Sequence, residues 1–245
     1  MITTMLKSAS ILLLVLLPTF VWAALADDEA NWKLVSRNDG IMVYTAKLPD
    51  EHLKTFRGVT TMQLDDFTAI AAFMDDYDFV ASWMHMVSTI DGISRTSPDN
   101  RLVYVTTRLP WPVSDRDVVL HVGIEQDAAS YAVRLPFHDV KALRPPEAGY
   151  VRMPQMRGFY LFKPLAPGQV EVTLQVIVDP GGYIPDWIAN LIMRDIPYYS
   201  LKHLRVVAND PRFRNSHLDY YKVPPAWLET AKSKPVSGSS SSALP

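Results

Sequence analysis

The chain has 245 residues, 48% of them hydrophobic, with a formal net charge of −2 and no cysteine. That size and apolar content suffice for one buried core, while the missing cysteines exclude a disulfide framework, a thiolate nucleophile and a lipobox. A near-neutral balance without any Lys/Arg cluster argues against nucleic acid as a partner.

From the N-terminus, Lys7 precedes the apolar run Ile11 to Leu17, and Ala24-Leu25-Ala26 stands before Asp27-Asp28-Glu29. Residues 1–26 are expected to be a cleaved secretory signal peptide, because the apolar core is too short to span a bilayer and small residues precede an acidic start. The expected destination is a bacterial periplasm. A single domain is expected over 27–228, and the tail 229–245, with its Ser-Gly-Ser-Ser-Ser-Ser run, is expected to be disordered.

Within the domain, a short helix is expected at Ala30 to Ser36, then a turn at Asn38-Asp39-Gly40 into a strand, Ile41 to Ala46. A second strand follows at Lys54 to Leu64. Asp65-Asp66 then precedes Phe67, Ile70, Ala71, Phe73 and Met74, a helical spacing with acids at the N-terminus, and Asp75 to Trp83 reads as another short helix that buries Trp83. Strands are expected at His85–Ile93, Arg101–Leu109, Arg116–Glu125, Tyr131–Leu135, Tyr150–Phe162 and Val170–Asp179. In the last, Val170, Val172, Leu174, Val176 and Val178 alternate with Glu171, Thr173 and Gln175, one buried face against one wet face. The period of two puts Arg116 on the same face as Val118, Leu120, Val122 and Ile124, so a charge points inward. Phe137 to Pro146 reads as a long loop.

One long helix is expected from Ile184 to Asn209, a rise of roughly 39 Å at 1.5 Å per residue. Pro185 and Asp186 suit its start, and Lys202, His203 and Arg205 suit its end. Trp187, Ile188, Leu191 and Ile192 crowd its first half. Ala189, Met193, Ile196, Ser200 and Leu204 form a second stripe, whose small and flexible members leave room for a cavity against a sheet. Taken alone, the helix also fits ordinary core packing on both stripes. Pro197 should bend it, and five charges from Asp186 to Arg205 rule out a membrane span. Strands, two helices, a strand meander and a long helix together imply an α+β fold with an antiparallel sheet.

Four pieces carry a family likeness: Asp39-Gly40-Ile41 with Val43-Tyr44, Trp83 after an acidic helix, Ser114-Asp115-Arg116-Asp117, and Val178-Asp179-Pro180-Gly181-Gly182 with Ile184-Pro185-Asp186-Trp187. In order and spacing the chain resembles a START domain, the lipid-transfer module related to steroidogenic acute regulatory protein, over about Trp32 to Asp210. The resemblance implies the helix-grip fold, a curved antiparallel β-sheet closed by the long C-terminal α-helix, with a hydrophobic ligand in a tunnel between them. It implies no enzyme activity, metal or cofactor. The partners it implies are a lipid or other hydrophobic small molecule and a transient membrane contact, by a monomer.

Some START proteins carry an acid and an arginine inside the tunnel. Ungapped comparison from Trp83 and Arg116 puts those positions at Thr89 and Val122, which implies a more neutral interior with Thr89, Tyr104 and Arg116 as polar anchors. The expected ligand-contacting wall adds Leu120 and Val122 from the strand and Met193, Ile196, Ser200 and Leu204 from the helix. Pairing of Arg116 with Asp115 or Asp117, tying strand to loop, is the alternative for that residue. Gating is expected at the Phe137–Pro146 loop and at Gly181-Gly182, where a hinge and a rigid tight turn are equally compatible with the sequence.

Two other functions fit the same fold. A helix-grip cyclase or hydrolase would act on a bound hydrophobic substrate, but the chain lacks G-x-S-x-G, H-E-x-x-H and cysteine, and its histidines at 52, 85, 121, 138, 203 and 217 lie far apart in sequence. The adjacent pair His138-Asp139 is the remaining base-and-orienter candidate. A periplasmic adaptor or chaperone would instead offer the groove to a protein, aided by an exposed Trp227 and the apolar pair Tyr220-Tyr221, which fit equally a clasp packed back on the domain.

Overall fold

The computed structural model describes residues 31–47, 54–141, 143–216 and 220–233. The segment 1–26 expected to be a signal peptide, the expected domain start at Asp27 and the chain beyond Ser233 lie outside the described residues.

Strand β1 (Lys33–Asn38) and β2 (Ile41–Lys47) form a hairpin that pairs onward to β3 (Lys54–Gln63). Two short helices, α1 (Ala69–Phe73) and α2 (Tyr77–Trp83), follow, and the Asp76 carboxylate caps α2 by accepting from Phe79 N at 2.9 Å. The meander comprises β4 (Val87–Ser97), β5 (Asn100–Thr107), β6 (Asp115–Val122), β7 (Glu125–Gln126), β8 (Val133–Asp139), β9 (Tyr150–Arg152), β10 (Gln155–Ala166) and β11 (Gln169–Asp179). Their order across the sheet is β1-β2-β3-β11-β10-β8-β6-β5-β4, antiparallel throughout except that β9 lies parallel to β6. The sheet is curved and open, and helix α3 (Asp186–Val207) packs on β2, β3 and β11. This is the expected α+β helix-grip arrangement.

Several expected boundaries are corrected. The helix expected at Ala30–Ser36 is instead strand β1 from Lys33 onward, because edge pairing with β2, Lys33 to Thr45 and Asn38 to Ile41, supplies backbone bonds that weak helical spacing cannot match. The strand expected at Tyr150–Phe162 breaks at Met153-Pro154, where proline has no N–H for a ladder. Phe137, His138 and Asp139 belong to β8, so the loop expected from Phe137 begins only after Asp139. The long helix is shorter at both ends than expected, since Pro185 is extended (φ −57, ψ 142) and Ala208 caps it.

The two stripes expected on α3 merge into one. Its inward ridge runs Ile188, Ile192, Ile196, Ser200 and Leu204 at i+4 spacing, with Pro197 and Leu201 beside it. Trp187, expected inside, is 56% exposed. The helix crosses the sheet at Gly58, where a Cβ would lie 2.8 Å from Leu201 Cδ1 and 2.9 Å from Pro197 Cβ. Pro197 is too rigid to yield, so Gly58→Ala is expected to lift the helix and cost about 1–3 kcal/mol, read as a lowered urea midpoint. An unchanged midpoint would mean the helix tolerates a looser seat.

After α3 the chain folds back. Tyr221 and Trp227 are buried against Phe67, with ring centroids 5.5 Å and 5.1 Å away, and Tyr221 donates to Phe67 O at 2.9 Å. Neither is the exposed aromatic that a protein-docking surface would need. Helix α4 (Pro225–Ser233) runs across the expected boundary at 228, so regular structure continues into the segment expected to be disordered.

Candidate functional site

On the concave face of the sheet lie two adjoining cavities, one of about 80 Å³ under α3 and one of about 90 Å³ under α2. The inner wall of the first comes from alternate residues of β11, Leu174, Val176 and Val178, and from Ile192, Ile196 and Ser200 of α3. The second is walled by Val103 and Val105 of β5, Leu120 and Val122 of β6, and Tyr77 and Val80 of α2. Met84, Val87, Phe137, Met156 and Tyr160 line both and form the partition. Outside the first cavity an open groove continues under α3, sharing Phe56, Val178, Pro180 and Ile192 and adding Asp186, Asn190 and Met193.

Each cavity is smaller than the roughly 300–1,000 Å³ typical of ligand sites. A lipid therefore needs the partition to move, and the lining suits that. Met84, Met86, Met153 and Met156 surround the first cavity, and unbranched thioether chains change rotamer at low cost.

Polar groups are few. Arg116 is 2% exposed and lines the first cavity from β6, with Nε donating to Pro180 O (2.9 Å), Nη2 to Gly181 O (2.8 Å) and Nη1 to Ser114 O. It forms no ion pair with Asp115 or Asp117, so the tie from strand to loop that the sequence offered as the alternative is made through backbone carbonyls instead. Burial pushes its guanidinium below the ordinary arginine value, and Asp115 opposes that shift. Gly181 and Gly182 adopt φ of 65° and 63°, and the Gly181 N–H donates to Asp179 Oδ1 at 2.9 Å. The pair is thus a pinned left-handed turn at the head of α3.

At the far side of the first cavity burial pushes the Tyr160 phenol up, with the Ser200 hydroxyl opposing that shift. The Ser200 hydroxyl accepts from His85 N at 3.0 Å. The His85 ring packs 4.8 Å from Tyr199 and 6.4 Å from His203, whose Nδ1 lies 3.1 Å from Trp83 O. Burial holds the His85 imidazole below the usual histidine value, with Asp195 pulling it up and His203 pushing it down. A histidine with a depressed folded value contributes stability that is complete above about pH 6.5, its unfolded value, and lost as pH falls below that. The urea midpoint is expected to drop between pH 7.5 and 5.5, and His85→Gln should flatten that drop; an identical slope in the variant would remove His85 as its source.

The structure sorts the sequence-derived candidates. Arg116, Ile196 and Ser200 line the first cavity, Leu120 and Val122 the second, and Met193 the outer groove. Leu204 is core, fully buried but away from both cavities. Thr89 is exposed, its hydroxyl 2.8 Å from that of Thr106. Tyr104 faces the convex side, donating to Asp117 Oδ2 at 2.9 Å beneath the Arg144 guanidinium. Thr89 and Tyr104 are therefore not among the cavity-lining residues. Sequence reasoning missed His85, Tyr160 and the methionines. Tyr160 and Met156 carried a signal, sharing β10's alternation with Phe162.

Spacing in sequence also misled on the histidines. His121 and His138 are cross-strand partners on β6 and β8, with rings 4.9 Å apart, on the face opposite the cavities. Asp139 does not orient His138, because its carboxylate accepts from Met156 N at 2.9 Å. Among the described residues no three His, Cys, Asp or Glu side chains gather as a metal site, and no helix is long and apolar enough to cross a membrane.

Comparison with known proteins matches residues 21–208 to the model of the START domain. An uncharacterized Pseudomonas aeruginosa protein, PA1579, is 36% identical over 185 residues, covering 76% of this chain and 89% of its own. The crystal structure of a STAR-related lipid transfer protein from Xanthomonas axonopodis superposes with a TM-score of 0.64 at 30% identity, covering 72% of this chain and 98% of that one. Human STARD10 shares the fold at 21% identity and a TM-score of 0.64, covering 82% of each chain. A methionine-lined apolar site held between sheet and helix, on a chain matched over most of its length, places this protein in the START domain family.

Proposed function

We propose that this chain binds a lipid non-covalently in the two adjoining cavities that α2 and α3 cover on the sheet, and carries it through an aqueous compartment, without chemistry on the ligand. The observation that carries this reading is the apolar, methionine-lined pair of cavities. Each methylene moved from water into such a site gains about 0.8 kcal/mol, so a chain-sized ligand can leave a membrane for it. A catalytic reading has less support, since the Ser200 hydroxyl accepts from the His85 backbone N–H and the Arg116 guanidinium is held by backbone carbonyls. The family relationship supports the carrier reading too, because the Xanthomonas relative is named as a lipid transfer protein.

Delivery requires a membrane contact, and one end of the molecule suits it. Trp111 is 88% exposed, Tyr183 86% and Trp187 56%. Trp111 lies in the β5–β6 connection and Tyr183 and Trp187 at the head of α3, two segments that Arg116 ties together at the cavity. Amphipathic aromatics of this kind seat at a bilayer interface. The protein acts as a monomer in an exported, periplasmic setting on this reading.

Native mass spectrometry of protein purified from its exported compartment without detergent, followed by lipid extraction, tests the carrier function. A stoichiometric lipid is expected. Repeatedly empty protein that also takes up no fluorescent acyl or sterol probe would overturn it. Trp111→Ser with Tyr183→Ser should reduce vesicle co-sedimentation at least several-fold while leaving probe uptake in solution intact.

A further inference from the structure

Among the described residues, Arg116 is the only formally charged side chain lining the first cavity; Asp186 lies on the outer groove instead. It is 2% exposed in an otherwise apolar wall, yet makes no ion pair among the described residues. A guanidinium has more N–H groups than the three carbonyls of Ser114, Pro180 and Gly181 occupy, since Nη1 and Nη2 each carry two. Both acids adjacent in sequence are engaged elsewhere: the Asp115 carboxylate accepts from Leu109 N at 3.1 Å, and that of Asp117 accepts from Arg152 and Tyr104. Backbone carbonyls solvate the cation but do not neutralise it, and a buried uncompensated charge is costly.

Resting on the lipid-carrier reading, the geometry points to the ligand's class: a single-chain amphiphile whose anionic head, a carboxylate or a phosphate, sits on Arg116 and whose tail passes Met156 and Tyr160 into the second cavity. The anion supplies the counter-charge that the fold omits. Two spaces of about 80 and 90 Å³ joined across a partition of movable side chains suit one flexible chain better than a rigid fused ring system. Only the head-to-cation contact is charge-assisted; the rest is burial of methylenes.

The test uses the purified protein at pH 8 and two matched probe pairs. The first is cis-parinaric acid against its methyl ester, read by fluorescence. The second is lysophosphatidic acid against the corresponding monoacylglycerol, read by displacement of parinaric acid. The acid should bind about ten- to a hundredfold more tightly than the ester, the range expected for one buried charge-assisted contact. A preference confined to the second pair assigns the anion to a phosphate head, one confined to the first to a free carboxylate. Arg116→Gln should bring acid and ester to equal affinity, with the ester changed less than about threefold, and Arg116→Lys should keep part of the preference. If Arg116→Gln does not fold, because Ser114, Pro180 and Gly181 lose their common donor, the wild-type comparison decides alone. Equal binding of charged and uncharged members in both pairs overturns the anionic head while leaving lipid carriage standing. Failure of every probe to bind removes both.

Discussion

Val176→Phe is expected to abolish uptake of a fluorescent acyl probe, by more than about tenfold in affinity, while the chain stays folded. Val176 is 4% exposed and points from β11 into the first cavity, opposite Phe56 on one neighbouring strand and Gly158 on the other. A benzyl group there fills much of a space of about 80 Å³ that is empty of protein atoms. Overpacking a settled core costs about 1–3 kcal/mol, but here the added ring enters existing room, so the stability loss belongs at the low end. Leu120→Phe is the companion on the far side of the partition, 6% exposed and lining the second cavity. It should shorten the chain length the protein accepts more than it weakens binding of short chains, because only the tail reaches that far. Normal uptake in both variants, with normal urea midpoints, would put the ligand somewhere other than these cavities.

How much of this was legible in the sequence depends on whether a residue's direction follows from its own strand. The β11 alternation was plain, because one face is buried and the other wet along its whole length, and the same period turned Arg116 inward correctly. Period two also fixes Tyr104 outward once Val103 and Val105 face in; its hydroxyl made it attractive as an anchor, but its partner is Asp117 on the convex face. Thr89 failed for a different reason. The β4–β5 register shifts between Val87 and Thr89, and that bulge turns a residue that ungapped counting placed inside. Nothing in β1 announces a strand, since its burial is nearly uniform and its pairing with β2 decides it. On α3 the ridge through Ser200 was half visible, but that members of both stripes share one sheet-facing ridge depended on the close approach at Gly58, far away in sequence. The contact of His121 with His138 is set wholly by strand register.

Asp117→Ala is expected to be the most destabilising substitution in the wall beside the cavity, costing about 3 kcal/mol, as for removing one partner of a buried pair. The Asp117 carboxylate is fully buried and accepts from Arg152 Nε and Nη2, both at 2.9 Å, and from the Tyr104 hydroxyl at 2.9 Å. Its removal strands a buried phenol and a guanidinium together. The loss stays below the top of the range for such pairs, because Arg152 is 22% exposed and keeps bonds to the carbonyls of Arg144 and Pro145. Acid provides an independent reading of the same interaction. Burial pushes the Asp117 carboxyl up, but the hydrogen bonds from Arg152 and Tyr104 outweigh it and leave it below the ordinary aspartate value. A depressed folded value means stability that is complete above about pH 4, the unfolded value, and lost as pH falls through the folded one. Wild-type protein should therefore lose urea resistance steeply below pH 4, and Asp117→Ala should start lower at pH 7 and show a shallower acid limb. Because Asp117 O also accepts from Met153 N and adjoins Arg116, the variant should loosen β9 against β6, exposing the Met153 amide to hydrogen exchange. Parallel acid limbs in the two proteins would place the ion pair's contribution near zero and assign the loss at pH 7 to the unfilled space alone.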